Sequence, residues 1–414
     1  MVIEPPRSVT QPNDQALRAR ARRVIPGGMY GHMTAGPIVP PSYPQFWDHV
    51  DGPYGWDVDG TRHIDLLCGF GPMVLGYRNP VVESAAAAQA AYGDTMTGPS
   101  ARMVELAELL TDTIAHADWS MFAKNGTDAT ATAVRIARAA TGKTKLLKAT
   151  PAYHGANDWF TPMLSGVAPG DRANIDYFDY NDSASLEAKV AEHSGDIAAI
   201  ILTPFQHDSR KPQELVDPEF ARAARTLTTG EGAALILDEV RTGIRLDLRG
   251  AWETIGVRPD LTAYSKAIAN GHPIAAVVGI DALKEAASSI YVTGSFWYSA
   301  VPMAAAKATI EHALAIDAPT RIASAGELLK RGIEEQGAHL GAQISGPLQM
   351  PYLSFADDPE LTVAMAFTDS AIRHGVLMHP WHTMFLSTAH TEDVIDDVLR
   401  RTARAFDEIA VLKN

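Results

Sequence analysis

The sequence predicts an α/β protein, with a large domain built on a mostly parallel β-sheet covered by helices and a smaller α+β unit behind it. Three observations predict it. From residue 120 to residue 280, short apolar runs alternate with helical segments. Most of those runs are apolar along their whole length, as strands buried on both faces are. A long alanine-rich segment, Pro302 to Ile316, then leads out of the alternating region into a mixed pattern. The 414 residues divide accordingly into an N-terminal segment 1–50, a large domain 51–315 and a small C-terminal domain 316–414.

The elements follow in order. A short helix from Asp14 to Val24 stops at Pro26-Gly27-Gly28, a helix-ending combination. Tyr54 to Asp59 and His63 to Leu67 flank Asp59-Gly60 and read as a hairpin. Val82 to Tyr92 and Arg102 to Ile114 have helical patterning. The strands of the large domain are Lys145 to Ala149, Ile197 to Leu202, Ala233 to Leu237 and Ile274 to Val278, with helices such as Asp128 to Thr141 and Pro218 to Leu227 between them. Ile322 to Gln336 is a further helix, and Glu392 to Ala410 is the last.

Composition excludes several classes. Hydrophobic residues make up 46% and charged residues 20%, the usual balance of a globular protein. A net charge of −14 opposes nucleic acid or an anionic membrane as the main partner. No apolar run reaches the length of a membrane span, and the N-terminus lacks the apolar region of a secretion signal. The single cysteine, Cys68, allows no intrachain disulfide and suits a reducing cytoplasm. No metal is expected: the fourteen histidines show no ligand spacing, and Pro380 breaks the helix that His379 and His382 would need.

Chemistry gathers around Lys266, which sits between Ala263-Tyr264-Ser265 and Ala267-Ile268-Ala269, just before the apolar run from Ile274. Burial disfavours the ammonium form of a lysine and leaves a nucleophilic amine. Asp238 closes the strand Leu235-Ile236-Leu237, and sheets of this kind bind ligands beyond the carboxyl ends of their strands. A Schiff-base lysine and an acid that protonates a pyridine nitrogen are the groups that pyridoxal phosphate needs. Asn125-Gly126-Thr127 precedes a helix and is either a plain N-cap or a phosphate site. Tyr153 is either a loop residue or a ring that stacks on a flat cofactor. Val240 is placed to pack against the other face.

In this order the motifs closely resemble those of the class III pyridoxal-phosphate aminotransferases, with the nearest look to glutamate-1-semialdehyde aminomutase and its relatives. The resemblance spans almost the whole chain. It runs through Val24-Ile25-Pro26-Gly27-Gly28, Trp56-Asp57-Val58-Asp59-Gly60 and Gly69-Phe70-Gly71-Pro72-Met73-Val74-Leu75-Gly76. It continues in Asn125-Gly126-Thr127-Asp128-Ala129-Thr130, Asp238-Glu239-Val240-Arg241-Thr242-Gly243-Ile244-Arg245 and Arg258-Pro259-Asp260-Leu261 before Lys266. Phe385-Leu386-Ser387-Thr388-Ala389-His390-Thr391 ends it. The resemblance implies fold-type I architecture and pyridoxal 5'-phosphate held by Lys266 as an internal aldimine. It implies ping-pong transfer of an amino group from an amine or amino acid donor to a carbonyl acceptor, Lys266 moving the proton. It also implies a homodimer with the active site at the interface, where Ser295 of Gly294-Ser295-Phe296 reaches the neighbouring subunit's phosphate. An aminomutase or an amino acid racemase on the same cofactor is the alternative. A non-catalytic binding protein of this fold would not need to keep Lys266.

Departures from the family bear on the substrate. The aminomutases carry a carboxylate-gripping arginine where Thr34 aligns, and threonine cannot supply its charge. His382 stands in place of a glutamate and Thr203-Pro204 in place of Glu-Pro. Asp208 aligns with an asparagine near the cofactor's ring hydroxyl. Trp297 and Tyr298 replace small residues and either pack at the interface or line the substrate pocket. Arg241 either binds an acidic group of a substrate or pairs with Asp208 or Glu239.

Overall fold

A computed structural model of the chain describes residues 11–31, 34–36, 38–207 and 210–410. Helix α1 (Pro12–Val24) opens it. The Asp59 carboxylate caps α1 from across the chain, accepting the N–H groups of Asn13 and Asp14 at 2.9 and 3.0 Å. The turn read as a hairpin therefore also anchors the first helix. Strands β1 (Trp47–Asp51), β2 (Tyr54–Asp57) and β3 (Arg62–Asp65) pair antiparallel in sequence. Helices α2 (Pro80–Ala90) and α3 (Ala101–Thr113) follow.

The large sheet then begins with β4 (Trp119–Ala123), α4 (Gly126–Thr141), β5 (Lys145–Thr150), β6 (Ile175–Asp179), α5 (Ser183–Glu192) and β7 (Ile197–Leu202). Two short strands, β8 (Phe205–Gln206) and β9 (Glu214–Leu215), form a separate ribbon before α6 (Pro218–Glu231). Strands β10 (Ala234–Asp238), β11 (Leu261–Tyr264) and β12 (Ala275–Gly279) complete the sheet, in the order β4-β12-β11-β10-β7-β5-β6. All neighbours from β11 to β6 are parallel, while β12 runs antiparallel to both β11 and β4. Only residues 265–274 separate β11 from β12, too few for the crossover that a parallel pair requires.

Both faces of the sheet are covered. In β10, Ala234 and Ile236 pack with Ala133, Ile136 and Ala137 of α4, whereas Leu235 and Leu237 pack with Phe220 and Ala224 of α6. This period-two division of one wholly buried strand is what its unbroken apolar sequence encodes. The apolar pattern of the sequence does not mark β4, β6 or β11. The first two are edge strands with half-exposed positions such as Met121 and Asp176. The third is four residues long and includes Thr262, whose hydroxyl bonds His116 Nε2 at 2.8 Å.

After α7 (Lys284–Ser289), α8 (Ala300–Ile316) leads to α9 (Ala318–Gln336), the hairpin β13 (Ala342–Ser345) and β14 (Tyr352–Phe355), α10 (Thr362–Arg373), β15 (Val376–Leu377) and α11 (Glu392–Ile409). Strand β15 pairs parallel with β3, so one sheet is built from chain on both sides of residue 316. No helix among the described residues is long and apolar enough to cross a membrane.

Candidate active site

Parallel strands β5, β7, β10 and β11 end on one edge of the sheet, and the loops that leave them meet the N-terminus of α4. Between them lies a cavity of about 330 Å³. Asn125, Gly126, Thr127, Tyr153, Asp238, Val240, Arg241 and Lys266 all line it, as do His154 and His207, which no sequence pattern marks.

One end of the cavity is a helix N-terminus. Asn125 caps α4, its Oδ1 accepting the Asp128 N–H at 3.1 Å while its Nδ2 donates to Asp128 Oδ2 at 2.9 Å. Its side chain is therefore turned to the helix, and the open N–H groups of the first turn face the cavity end. Thr127 Oγ1 accepts the Ala156 N–H at 3.1 Å. Two glycines allow the close approach. A Cβ at Gly126 would lie 2.7 Å from Val240 Cγ1, and one at Gly155 would lie 2.9 Å from Thr127 Cα.

Asp238 is 6% exposed. Its Oδ1 accepts the Val240 N–H at 3.0 Å and its Oδ2 lies 2.7 Å from His154 Nδ1. Burial lowers the pKa of His154 against the opposing pull of Asp238, which keeps the imidazole neutral. A carboxylate only accepts, so Nδ1 carries the proton. His154 also anchors the loop, since its carbonyl accepts from Thr130 Oγ1 at 2.5 Å. The adjacency of a histidine to Tyr153 was the one available signal for it.

Lys266 begins the turn after β11 with a left-handed backbone, φ +46°. Its Nζ donates to the Phe70 carbonyl at 2.7 Å. Ser265 Oγ donates to the Ile274 carbonyl at 2.8 Å and ties the turn to the start of β12.

Glu239 points away from the cavity, and Arg241 does not bond it. Arg241 Nη1 lies 3.1 Å from His207 Nδ1 instead, and Asp208 falls outside the described residues. Glu239 is fully buried, accepting the Ala251 N–H at 3.0 Å and the Tyr264 hydroxyl at 3.3 Å. Burial pushes its carboxyl up from 4.5 to about 7. An acid raised in the folded state holds its proton there, so stability is full below pH 4.5 and falls as pH rises through 7. The loss amounts to roughly 3 kcal/mol above that range. Glu239→Gln keeps an acceptor without the charge. Its melting temperature should fall less than the wild type's between acid and mildly alkaline pH; equal slopes would show that Glu239 does not couple folding to protons.

The remaining candidates stand outside the cavity lining. Thr34 is half-buried, its carbonyl accepting the Ile38 N–H at 3.2 Å. His382 is buried and meets the Phe70 ring edge-on at 5.0 Å. Ser295 is exposed, Trp297 packs against the apolar cluster on the α4 face, and Tyr298 is half-buried.

Pyridoxal phosphate asks a protein for an amine, an acid and an anion cradle. Lys266, Asp238 and the start of α4 supply all three around one cavity, and Gly126 and Gly155 leave room where any Cβ would collide. The residues present fit this cofactor, and fold and site together define a fold-type I pyridoxal-phosphate enzyme. Comparison with known proteins narrows the class: residues 39–409 match the family described as Aminotransferase class-III, and the chain belongs to it. It is 46% identical over 395 residues to an aminopentol aminotransferase of Sphingopyxis macrogoltabida, covering 95% of this chain and 93% of that one. A glutamate-1-semialdehyde 2,1-aminomutase of Methanothrix thermoacetophila is 33% identical over 415 residues, covering 94% and 95%. Among solved structures, the pyridoxal-phosphate internal-aldimine form of the FumI protein of Sphingopyxis sp. MTA144 superposes with a TM-score of 0.94 at 45% identity, covering 96% of each chain. The chain is thus a pyridoxal-phosphate-dependent aminotransferase, and the aminomutases are its more distant relatives.

Proposed function

We propose that this aminotransferase accepts an amine with no carboxylate beside the reacting nitrogen, on an extended hydroxylated chain. The similarity along nearly the full length to an aminopentol aminotransferase carries this reading. The sequence departure at Thr34 supports it, because a threonine aligns with the arginine by which the aminomutases grip a carboxylate.

Bound pyridoxal phosphate supplies a carbonyl that condenses with amines and a ring that accepts electrons. The chain does the rest. Lys266 would hold the cofactor through its Nζ and, once released, would carry the proton at that Nζ as base and then acid. Asp238, oriented by His154 and the Val240 N–H, keeps the ring nitrogen protonated. The α4 N-terminus and Thr127 would hold the phosphate, and Tyr153 and Val240, which line the same cavity, would pack against the ring. Each half-reaction uses the same residues in opposite order, which gives ping-pong kinetics. With purified enzyme and single amines, long-chain hydroxylated amines should bleach the cofactor absorbance faster than glutamate or alanine. Reaction with α-amino acids alone would overturn the substrate proposal, and full turnover without any acceptor would favour an aminomutase.

The active unit is proposed to be a homodimer in the cytoplasm. Ser295 lies on an exposed loop beside Phe296, 60% exposed, and Tyr291, 81% exposed. Apolar side chains at that exposure call for a covering surface, and a second copy would receive Ser295 at its phosphate. Light scattering should give twice the chain mass, and a monomer with full activity would rule this out. Cys68, single and buried, needs no oxidising compartment.

A further inference from the structure

The turn after β3 is strained. Cys68, Gly69, Phe70 and Gly71 all have left-handed backbone, with φ of +49°, +62°, +64° and +109°. Non-glycine residues in that region persist only where the surroundings over-determine them. Here the turn is held at both ends. The Asp65 carboxylate accepts the N–H groups of Leu67 and Cys68 at 2.7 and 3.1 Å. At the far end the guanidinium of Arg245, with no exposed surface, donates to the Gly71 carbonyl at 2.6 Å and to the Leu386 carbonyl.

Arg245 is an unusual group to bury. Among the described residues it pairs with no carboxylate, its hydrogen-bond partners are neutral carbonyls, and its charge lies 5.4 Å from the centre of the Phe385 ring. Removing a cation from water without a counter-charge is costly, so a neutral side chain would serve better if packing were the whole purpose. What the clamped turn presents is the Phe70 carbonyl, which receives the Lys266 Nζ at 2.7 Å. Donor and acceptor both rest on left-handed backbone, 196 residues apart.

We propose that Arg245 is a positioning residue for Lys266: by clamping the left-handed turn 68–71 it holds the Phe70 carbonyl where it receives the Lys266 amine whenever that amine is not bonded to the cofactor. This rests on Lys266 being the cofactor lysine. A carbonyl accepts from a neutral amine and more strongly from an ammonium. The acceptor therefore retains Lys266 at the cavity wall in both states that proton transfer requires, and a loosened turn would let the amine swing away.

Arg245→Met removes the donors while keeping length, and Arg245→Lys keeps one donor and the charge. In the cofactor-loaded proteins, the amine-dependent bleaching rate should fall roughly ten- to a hundredfold in Arg245→Met, the scale of a small misplacement of a reacting group. The amine concentration for half-maximal rate should stay near wild type, and Arg245→Lys should recover part of the loss. In the cofactor-free proteins, reaction of Lys266 with an amine-directed acylating reagent, read by peptide mass, should have its midpoint at lower pH than in wild type, because the ammonium loses its carbonyl acceptor. If both variants fold with wild-type circular dichroism and neither readout moves, Arg245 merely fastens the turn to the C-terminal loop and the proposal fails. Should Arg245→Met not fold, Arg245→Lys decides on the same two readouts. Borohydride reduction of the wild type separates the underlying reading: a label on another lysine would remove Lys266, and this proposal with it.

Discussion

Lys266→Ala, reconstituted with pyridoxal phosphate, is expected to lose amino transfer by roughly ten-thousandfold or more, because one side chain supplies both cofactor attachment and proton transfer. Borohydride should fix cofactor to Lys266 in the wild type and to nothing in the variant. The fold should survive. Lys266 is half-buried, and the turn that bears it is tied down by Ser265 to Ile274 and by the wholly buried Ala267, Ile268 and Ala269. Losing the Nζ also removes one hydrogen bond from the Phe70 carbonyl, a loss of about 1 kcal/mol. Binding should persist, since the α4 N-terminus and Asp238 remain. The discriminating result is a variant that retains cofactor without covalent capture and is partly restored by a small added amine. If the variant turned over at even a tenth of the wild-type rate, another lysine would have to be the catalytic group.

Legibility from sequence followed the range of the interactions. Strands β7 and β10 are readable because burial on both faces leaves an unbroken apolar run, and β5 because Leu146 and Leu147 stand together in it, whereas the edge strands β4 and β6 carry the polar positions that such a pattern misses. The antiparallel placement of β12 was implicit in the ten residues before it. For the site, Asn125-Gly126-Thr127, Asp238 and Lys266 sit at element ends, where local punctuation marks them. The partners that orient them do not. His154 reaches Asp238 across 84 residues and Arg245 reaches Gly71 across 174, and no spacing rule connects such pairs. The glycine requirement at 126 is likewise a tertiary fact, set by Val240 on a different strand's loop.

Asp238→Asn should separate cofactor binding from turnover. The carboxylate is 6% exposed and already accepts from the Val240 N–H and from His154 Nδ1. Asparagine fits the same space and can still accept the Val240 bond through its carbonyl. Its amide then faces a histidine nitrogen that carries a proton, donor against donor. Relief requires His154 to move that proton to Nε2, a buried atom with no hydrogen-bond partner. Either outcome leaves a polar group unsatisfied, at about 1–3 kcal/mol, so the melting temperature should drop. The larger effect is chemical. A neutral amide cannot keep a ring nitrogen protonated, and removing a preorganised charge of this kind costs roughly a hundred- to a thousandfold in kcat. Lys266 and the phosphate cradle are untouched, so the cofactor should still bind and still be fixed by borohydride. A loss in kcat with cofactor content preserved is therefore expected. Equal loss of both would make Asp238 a binding residue only, and an unchanged kcat would take the ring nitrogen away from Asp238 altogether.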